Sequence, residues 1–256
     1  MNFIEPRLVA SLLLDNGELV KTTKFKNPRY IGEPLNVLKI FNTKAIDELA
    51  ILDISVTKHN DTPNFNLLKS IATECFFPLS YGGGISSVEI ATEIIKTGYE
   101  KVIISSHQGN LDLIKTISDR IGSSSTVVCL DVKKNWLGKY EIFTQNGLKP
   151  LKQPLETWIK KLEESGVGEV IIQSINNEGT MNGYDLNLIT EVSKYTTIPI
   201  IALGGAGKME DFAKAINSGA NACAAGSKFI YQGPHQAVLV NYPNRKEIKE
   251  NLYGKV

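Results

Sequence analysis

An internal repeat constrains the fold of this chain more than any other feature of its sequence. Landmarks that begin or end predicted strands recur 121 positions apart. They are Glu48 and Glu169, Pro78 and Pro199, Gly83-Gly84 and Gly204-Gly205, and Ser106 and Ser227. Because a chance match would not keep its register over so many elements, we predict a duplicated half-barrel, with halves of about residues 1–122 and 123–256.

Short β-branched runs alternate with longer helical patterns, which is typical of parallel βα units. Several runs are apolar without alternation, as expected for strands covered on both faces. The predicted strands are Leu8–Leu14, Glu48–Ile54, Phe77–Tyr81, Lys101–Ser105, Thr126–Val132, Glu169–Ser174, Pro199–Leu203 and Ala222–Gly226. The predicted helices are Asn36–Ala45, Asn64–Cys75, Ser87–Gly98, Leu111–Gly122, Pro154–Gly166, Asp185–Tyr195 and Lys208–Gly219. We therefore predict one α/β domain over residues 1–256, a (β/α)₈ TIM barrel.

Two segments depart from this pattern. Lys134–Gly147 is predicted to form a hairpin, with Asn146-Gly147 as its turn signal. Tyr231–Gln236 interrupts the expected last helix, Ala237–Tyr242 has no assignment, and helix is predicted to resume near Arg245.

Composition excludes several classes of partner. The formal net charge of +1 gives no electrostatic case for nucleic acid or an anionic membrane. No run is long enough for a membrane span or a signal peptide, so a cytoplasmic protein is expected. Three separated cysteines argue against disulfides or zinc, and His59, His107 and His235 share no ligand spacing, so neither a metal nor a cofactor is expected.

Paired glycine loops predict anion binding. Gly82–Ile85 follows the third strand and Gly204–Gly207 follows the seventh, and each is followed by a serine-containing strand end. Glycines let backbone N–H groups approach a phosphate, although tight turns would also require them. The predicted phosphate-binding residues are Gly83, Gly84, Ser105, Ser106, Gly179, Gly204, Gly205, Gly226 and Ser227.

Carboxylates near strand ends are the candidates for chemistry. Asp131 lies near the C-terminal end of the fifth strand, where barrel enzymes place catalytic groups, and a structural hydrogen bond is the alternative. Asp53, on the second strand, is interpreted as an organiser of loops. Four charges at N-terminal strand ends, taken alone, are interpreted as solvated; they are Arg7, Glu48, Lys101 and Glu169.

Over nearly its whole length the chain resembles the cyclase subunit of imidazole glycerol phosphate synthase. The matching stretches are Gly17–Lys21, Ile46–Leu49, Leu52–Ile54, Gly82–Ile85, Gly168-Glu169, Glu178–Asp185 and Gly204–Met209. The resemblance implies two phosphate sites for a bisphosphorylated substrate at the top of the barrel. It also implies a glutaminase subunit docked at the bottom, whose ammonia crosses the barrel. In this resemblance the four bottom charges become an ammonia gate, and Lys21 is the lysine of the first loop.

The departures from the family lie at the top. The family uses two aspartates as general acid and base; Asp131 matches one, while Leu13 replaces the other, a loss that typically costs about 10²–10⁴-fold in rate. Asn176 and Glu178 replace aspartates, and Leu203 replaces a serine.

These departures are similar to a branch found in surface-polysaccharide pathways. Its members pair with a glutaminase and are thought to supply a separate sugar amidotransferase that forms an amidino group. The alternatives are imidazole glycerol phosphate synthesis for histidine, and a non-catalytic scaffold that activates its glutaminase.

Overall fold

Eight parallel strands close into a barrel in the computed structural model, which describes residues 5–256. They are β1 (Arg7–Asp15), β2 (Glu48–Asp53), β3 (Leu79–Gly82), β4 (Lys101–Ile104), β5 (Thr126–Lys134), β6 (Glu169–Ser174), β7 (Ile200–Leu203) and β8 (Ala222–Ala225). Each strand pairs in parallel with its neighbour, and β8 closes on β1, where Cys223 lies opposite Leu8. The predicted (β/α)₈ TIM barrel is confirmed.

Helices follow the strands around the outside. They are α1 (Pro34–Asn42), α2 (Phe65–Glu74), α3 (Val88–Thr97), α4 (Leu111–Ile121), α5 (Leu155–Glu164), α6 (Leu186–Val192), α7 (Met209–Asn217) and α8 (Arg245–Asn251). Short helices cover Ile54–His59 and Ser227–Ile230, and 3₁₀ turns cover Ser123–Ser125 and Tyr253–Lys255. The predicted helices are present, and several begin where a side chain caps the backbone, as Ser87 does for α3. Gly98 ends α3 in the left-handed conformation, with φ of 116°.

Two hairpins extend the top face, which carries the C-terminal ends of the strands. Glu18–Thr23 and Lys26–Gly32 form the first, between β1 and α1, where the sequence pattern did not predict strands. In the second, β5 continues into Tyr140–Thr144, so the predicted hairpin is present.

The turn predicted for the second hairpin was wrong. Its tip is at Asn135, whose Oδ1 accepts hydrogen bonds from the backbone N–H groups of Leu137 and Lys139, each at 2.9 Å. This side chain fixes the tight turn locally. Asn146-Gly147 instead connects Tyr140–Thr144 to the short strand Lys149–Pro150.

The C-terminal segment returns across the first strand. Tyr231–Gln232 pairs with Ala237–Val238, and helix resumes at Arg245 as predicted. The Tyr242 hydroxyl donates to the carbonyl of Leu8 at 2.7 Å, which ties this segment to β1. None of the helices within residues 5–256 is long and apolar enough to cross a membrane.

Apolar side chains form two layers. The larger core lies between the strands and the helices, and a smaller cluster fills the barrel interior. Small residues take part in the inner cluster, among them Ala50, Ala222 and Ala224. Because these side chains are short, a narrow space remains along the axis.

Candidate functional site

A cavity of about 590 Å³ lies at the top of the barrel. Its walls come from the ends of consecutive strands, including Leu13 of β1, Leu52 of β2, Asp131 of β5 and Gln173 of β6. This is the end at which barrel enzymes carry their active sites. The first glycine loop, with Ser105 and Ser106, also lines the cavity.

Asp131 is a buried titratable group that lines this cavity. Its side chain is buried, Ser105 donates a hydrogen bond to Oδ2 at 3.1 Å, and the Cys129 thiol lies 3.8 Å from Oδ1. Burial raises the pKa of Asp131 to about 7, and the negative charge of Glu178 acts in the same direction. An acid with that pKa exchanges protons readily near neutral pH, which suits general acid–base work.

Leu13 contributes an apolar wall where the family resemblance implies a second carboxylate. It is 8% exposed and lies beside Leu52 in the parallel register of β1 and β2. Asp15, two residues further along the strand, also lines the cavity and was not singled out from the sequence. His107 lies on the cavity wall as well, and burial lowers the pKa of its imidazole. Within residues 5–256 no cluster of His, Cys, Asp and Glu is arranged to hold a metal ion.

The first glycine loop packs against the short helix Ile54–His59. Asp53 caps that helix by accepting from the backbone and hydroxyl of Ser55 at 3.0 and 2.6 Å, as an organiser of loops should. Gly84 has φ of +62°, and a Cβ there would lie 2.2 Å from Cγ1 of Val56. The hydroxyls of Ser106 and Thr57 are 2.9 Å apart. These glycines are therefore required by packing, whatever ligand the loop binds.

The second glycine loop surrounds a much smaller space, of about 20 Å³. The side chain of Lys21 enters it and forms an ion pair with Glu178, and both side chains are buried. A Cβ at Gly226 would lie 3.0 Å from Cε of Lys21, so the lysine rests directly on this strand end. The hydroxyl of Ser227 lies in the same space, buried and without a hydrogen-bond partner among the described residues.

Glu178 also anchors the first hairpin over this loop. Its Oε2 accepts from the hydroxyl of Thr22 at 3.2 Å and from the backbone N–H of Phe25 at 3.1 Å. Gly179 has φ of +74°, and a Cβ there would meet the carbonyl oxygen of Thr22 at 2.4 Å. The hairpin and the segment after β6 thus pack backbone against backbone.

The other two departures from the family pattern have structural contacts. Asn176 accepts a hydrogen bond from the backbone N–H of Lys134 at 2.9 Å, which fixes the end of β5. Leu203 is buried and belongs to the apolar cluster inside the barrel.

Four charged side chains form a closed ring at the bottom of the barrel. Arg7 contacts Glu48 at 3.1 Å and Glu169 at 2.6 Å. Lys101 contacts the same two glutamates at 3.2 and 2.9 Å. The residues begin β1, β2, β4 and β6, so the chain positions them around the mouth. They are ion-paired rather than separately solvated, and the interpretation made from the charges alone was wrong.

A narrow apolar space lies between the ring and the top cavity. Its volume is about 10 Å³, enough for roughly one water-sized molecule. Glu48 lies at its lower end, while Leu52 and Ile103 line both this space and the top cavity.

Sequence comparison identifies the family. The profile of the histidine biosynthesis protein family matches residues 7–236, most of the barrel. The chain belongs to this family.

Relatives within the histidine biosynthesis protein family match along almost their whole length. A provisionally named imidazole glycerol phosphate synthase subunit HisF from Leptospira interrogans is 44% identical, over 98% of this chain and 99% of the relative. The provisionally named subunit hisF2 of Pseudomonas aeruginosa is 42% identical, over 94% and 97%. The imidazole glycerol phosphate synthase subunit HisF of Pyrococcus furiosus is 39% identical, over 88% and 90%. The chain is thus a HisF-like barrel.

Proposed function

We propose that this chain is the ammonia-accepting subunit of a glutamine amidotransferase pair. A glutaminase docks over the bottom face, and its ammonia enters through the ring of Arg7, Glu48, Lys101 and Glu169. The observation that carries this proposal is the position of the ring at the lower end of a narrow apolar space whose upper end borders the top cavity. The names of the relatives, which describe subunits of a synthase, support it.

The ring has the chemistry of a selective entrance. Lys101 contacts both glutamates and is largely buried, so displacement of its ammonium group opens the mouth at the cost of two ion pairs. Ammonia is small and neutral, so it can enter an apolar space that would exclude a hydrated ion. A docked partner that moves Lys101 would thereby couple glutamine hydrolysis to transfer.

At the top, we propose that the cavity holds a phosphorylated small molecule near the first glycine loop and Ser106. Asp131 donates or accepts protons there. With Leu13 in place of the second acid, the ammonia is proposed to serve a separate sugar amidotransferase in surface-polysaccharide biosynthesis. The run of leucines Leu12–Leu14 and the stretch Leu239–Pro243 resemble members of that branch and support this assignment.

A second candidate is cyclisation for histidine biosynthesis. It is favoured by the similarity to the Pyrococcus furiosus subunit, whose name is that of the synthase itself. Cyclase activity with ammonia supplied directly separates the two candidates.

The test of the ammonia route is a charge reversal in the ring. Lys101→Glu places a third carboxylate beside Glu48 and Glu169, and like charges at this distance repel. In a complex with the co-encoded glutaminase, the sugar amidotransferase and an acetamido sugar, we expect the variant to release ammonia into solution for each glutamine hydrolysed. The unaltered chain should transfer it.

Lys115→Glu is the matched control, because Lys115 pairs with Asp119 on the exposed face of α4. It should leave transfer unchanged. Failure of the chain to bind any co-encoded glutaminase would contradict the proposal.

A further inference from the structure

The two glycine loops differ in the room that they leave. Gly83 and Gly84 line an open cavity of about 590 Å³. Gly204 and Gly205 line a space of about 20 Å³, which has room for a water molecule but not for a phosphate group. A duplicated fold would be expected to offer two equal sites, so the difference needs a local cause.

The cause is an internal ion pair. Lys21 reaches the strand end at Gly226, and Glu178 supplies the carboxylate that neutralises it. Thr22 and Phe25 add hydrogen bonds to the second carboxylate oxygen. A carboxylate that accepts from an ammonium, a hydroxyl and a backbone N–H group makes the contacts that a phosphate would make in the same place.

A phosphate group could enter only against this arrangement. Its negative charge would face the carboxylate of Glu178 in a buried environment, where like charges repel strongly. It would also have to compete with Glu178 for the three groups that donate hydrogen bonds to this carboxylate, and to displace the hairpin that these bonds hold. The family's aspartate at this position is shorter by one methylene group, so its carboxylate reaches less far.

We infer that Glu178 is an internal substitute for phosphate at the second glycine loop, and that this chain takes a ligand with a single phosphate group, bound at the first loop. The inference rests on the proposed function, because it takes the first loop to be a phosphate site. Glu178 is then a specificity-determining residue that excludes bisphosphorylated ligands.

Ser227 supports the view that the second glycine loop retains a site for an anion, which the carboxylate of Glu178 occupies. Ser227 is 5% exposed and lines the remaining space. Its hydroxyl has no hydrogen-bond partner among the described residues. A buried hydroxyl without a partner is costly. When Glu178 is removed, this hydroxyl and Lys21 become donors for an anion.

The test compares inorganic phosphate with a linear alkane bisphosphate by isothermal titration calorimetry and ³¹P NMR. The full-length chain should bind one inorganic phosphate and should hold the bisphosphate no more tightly than a monophosphate ester. Glu178→Ala should bind a second phosphate and should hold the bisphosphate at least about tenfold more tightly, as expected for new charge-assisted hydrogen bonds.

Two further variants keep the test decisive. Glu178→Gln removes the charge but keeps the volume, so it remains usable if the alanine variant fails to fold, and it should admit a second phosphate more weakly. Glu141→Ala is the matched control, since Glu141 is an exposed top-face glutamate that contacts Asn135 at 2.8 Å. It should bind one phosphate.

Two phosphates bound by the unaltered chain, or one bound by every Glu178 variant, would overturn the inference and leave the ammonia proposal intact. No phosphate bound by the unaltered chain would also overturn it. If the unaltered chain binds no co-encoded glutaminase or transfers no ammonia, but the phosphate pattern is as described, the proposed function fails and the role of Glu178 is supported.

Discussion

Asp131 shows how a single carboxyl group acquires an unusual proton affinity. It belongs to an apolar strand whose other side chains are buried, and its hydrogen bonds come from a serine and a thiol rather than a cation. Burial therefore dominates, and the pKa of the carboxyl rises to about 7. The same residue would have an ordinary pKa on the outside of the barrel.

A stability measurement can test this rise. The folded state keeps a proton on Asp131 between about pH 4 and pH 7 that the unfolded state releases, so the raised pKa makes stability fall as pH increases through this range. Asp131→Asn removes the titration. The free energy of unfolding of this variant, relative to the unaltered chain, should therefore increase from pH 4 to pH 8, by at most about 4 kcal/mol.

Urea unfolding at both pH values measures the difference. Asp119→Asn, on the exposed face of α4, is the control and should show no comparable change. A difference that is independent of pH would show that Asp131 titrates normally.

Leu13 leads to a prediction about activity. With one acid–base partner missing, cyclisation of the histidine-pathway intermediate should be at least about 10²-fold slower than in a histidine-pathway enzyme, even with saturating ammonia. Leu13→Asp alone should restore little, because Glu178 and Leu203 also alter the site and such residues act together. Product formation followed by absorbance, with the Pyrococcus furiosus subunit as reference, is the measurement. Activity within tenfold of that reference would favour the histidine pathway.

The sequence predicted where charged residues lie along the strands better than it predicted their contacts. Asp131 was placed by its position at a strand end, and the cavity contains it. The contact between Lys21 and Glu178 joins residues 157 positions apart, and no periodicity indicates it. For the ring, spacing showed that four charges begin strands, but only the closed barrel brings Arg7 against Glu169.

Among the elements, the glycine loops combine a proposed binding role with a strict packing role. Gly205 has φ of +110°, and a Cβ there would lie 2.1 Å from the carbonyl oxygen of Gly183. A backbone atom cannot move aside as a flexible side chain can. The loop after β7 thus depends on glycine even before any ligand is considered.

Two alanine substitutions separate the cost of backbone strain from the cost of the steric clash at Gly205. Gly122 also has positive φ, +95°, but a Cβ there meets nothing within 4 Å. Gly122→Ala should cost about 1–3 kcal/mol of unfolding free energy through its conformation alone, since φ of 95° with ψ of 147° is a region that residues other than glycine rarely adopt. Gly205→Ala should cost about 1–3 kcal/mol more, because overpacking is added. Equal urea midpoints for the two variants would show that the loop relaxes freely.

Element positions were predictable where one signal dominated. Apolar runs and terminal glycines located the barrel strands and most helices to within a few residues, because burial on both faces and left-handed caps leave clear traces. The second hairpin shows the limit. Asn146-Gly147 is a strong turn signal, yet Asn135 makes the tip, because its side chain bonds two backbone groups and the long extension of β5 carries it there.

At the scale of the whole molecule, the duplication remains a prediction with a direct test. If residues 1–122 and 123–256 are two (β/α)₄ units, each should fold partly when expressed alone and the two should assemble when coexpressed. Co-purification and recovery of the circular dichroism spectrum of the full chain measure this. Fragments divided within a half, after residue 75, serve as the control and should assemble poorly. Equal recovery from both divisions would argue against two units.

The lining of the narrow space inside the barrel has a consequence for protons. Ser11, Glu48 and Ser80 are the polar residues that line it, and the others are aliphatic. If ammonia crosses the barrel as proposed, an ammonium ion would have to release a proton at the ring before it enters, because this space offers few groups to replace its hydration. The barrel would then allow neutral ammonia to pass but not the ammonium ion. Proton transfer at the ring and proton transfer at Asp131 would then be independent of each other, because no proton would cross the barrel with the ammonia.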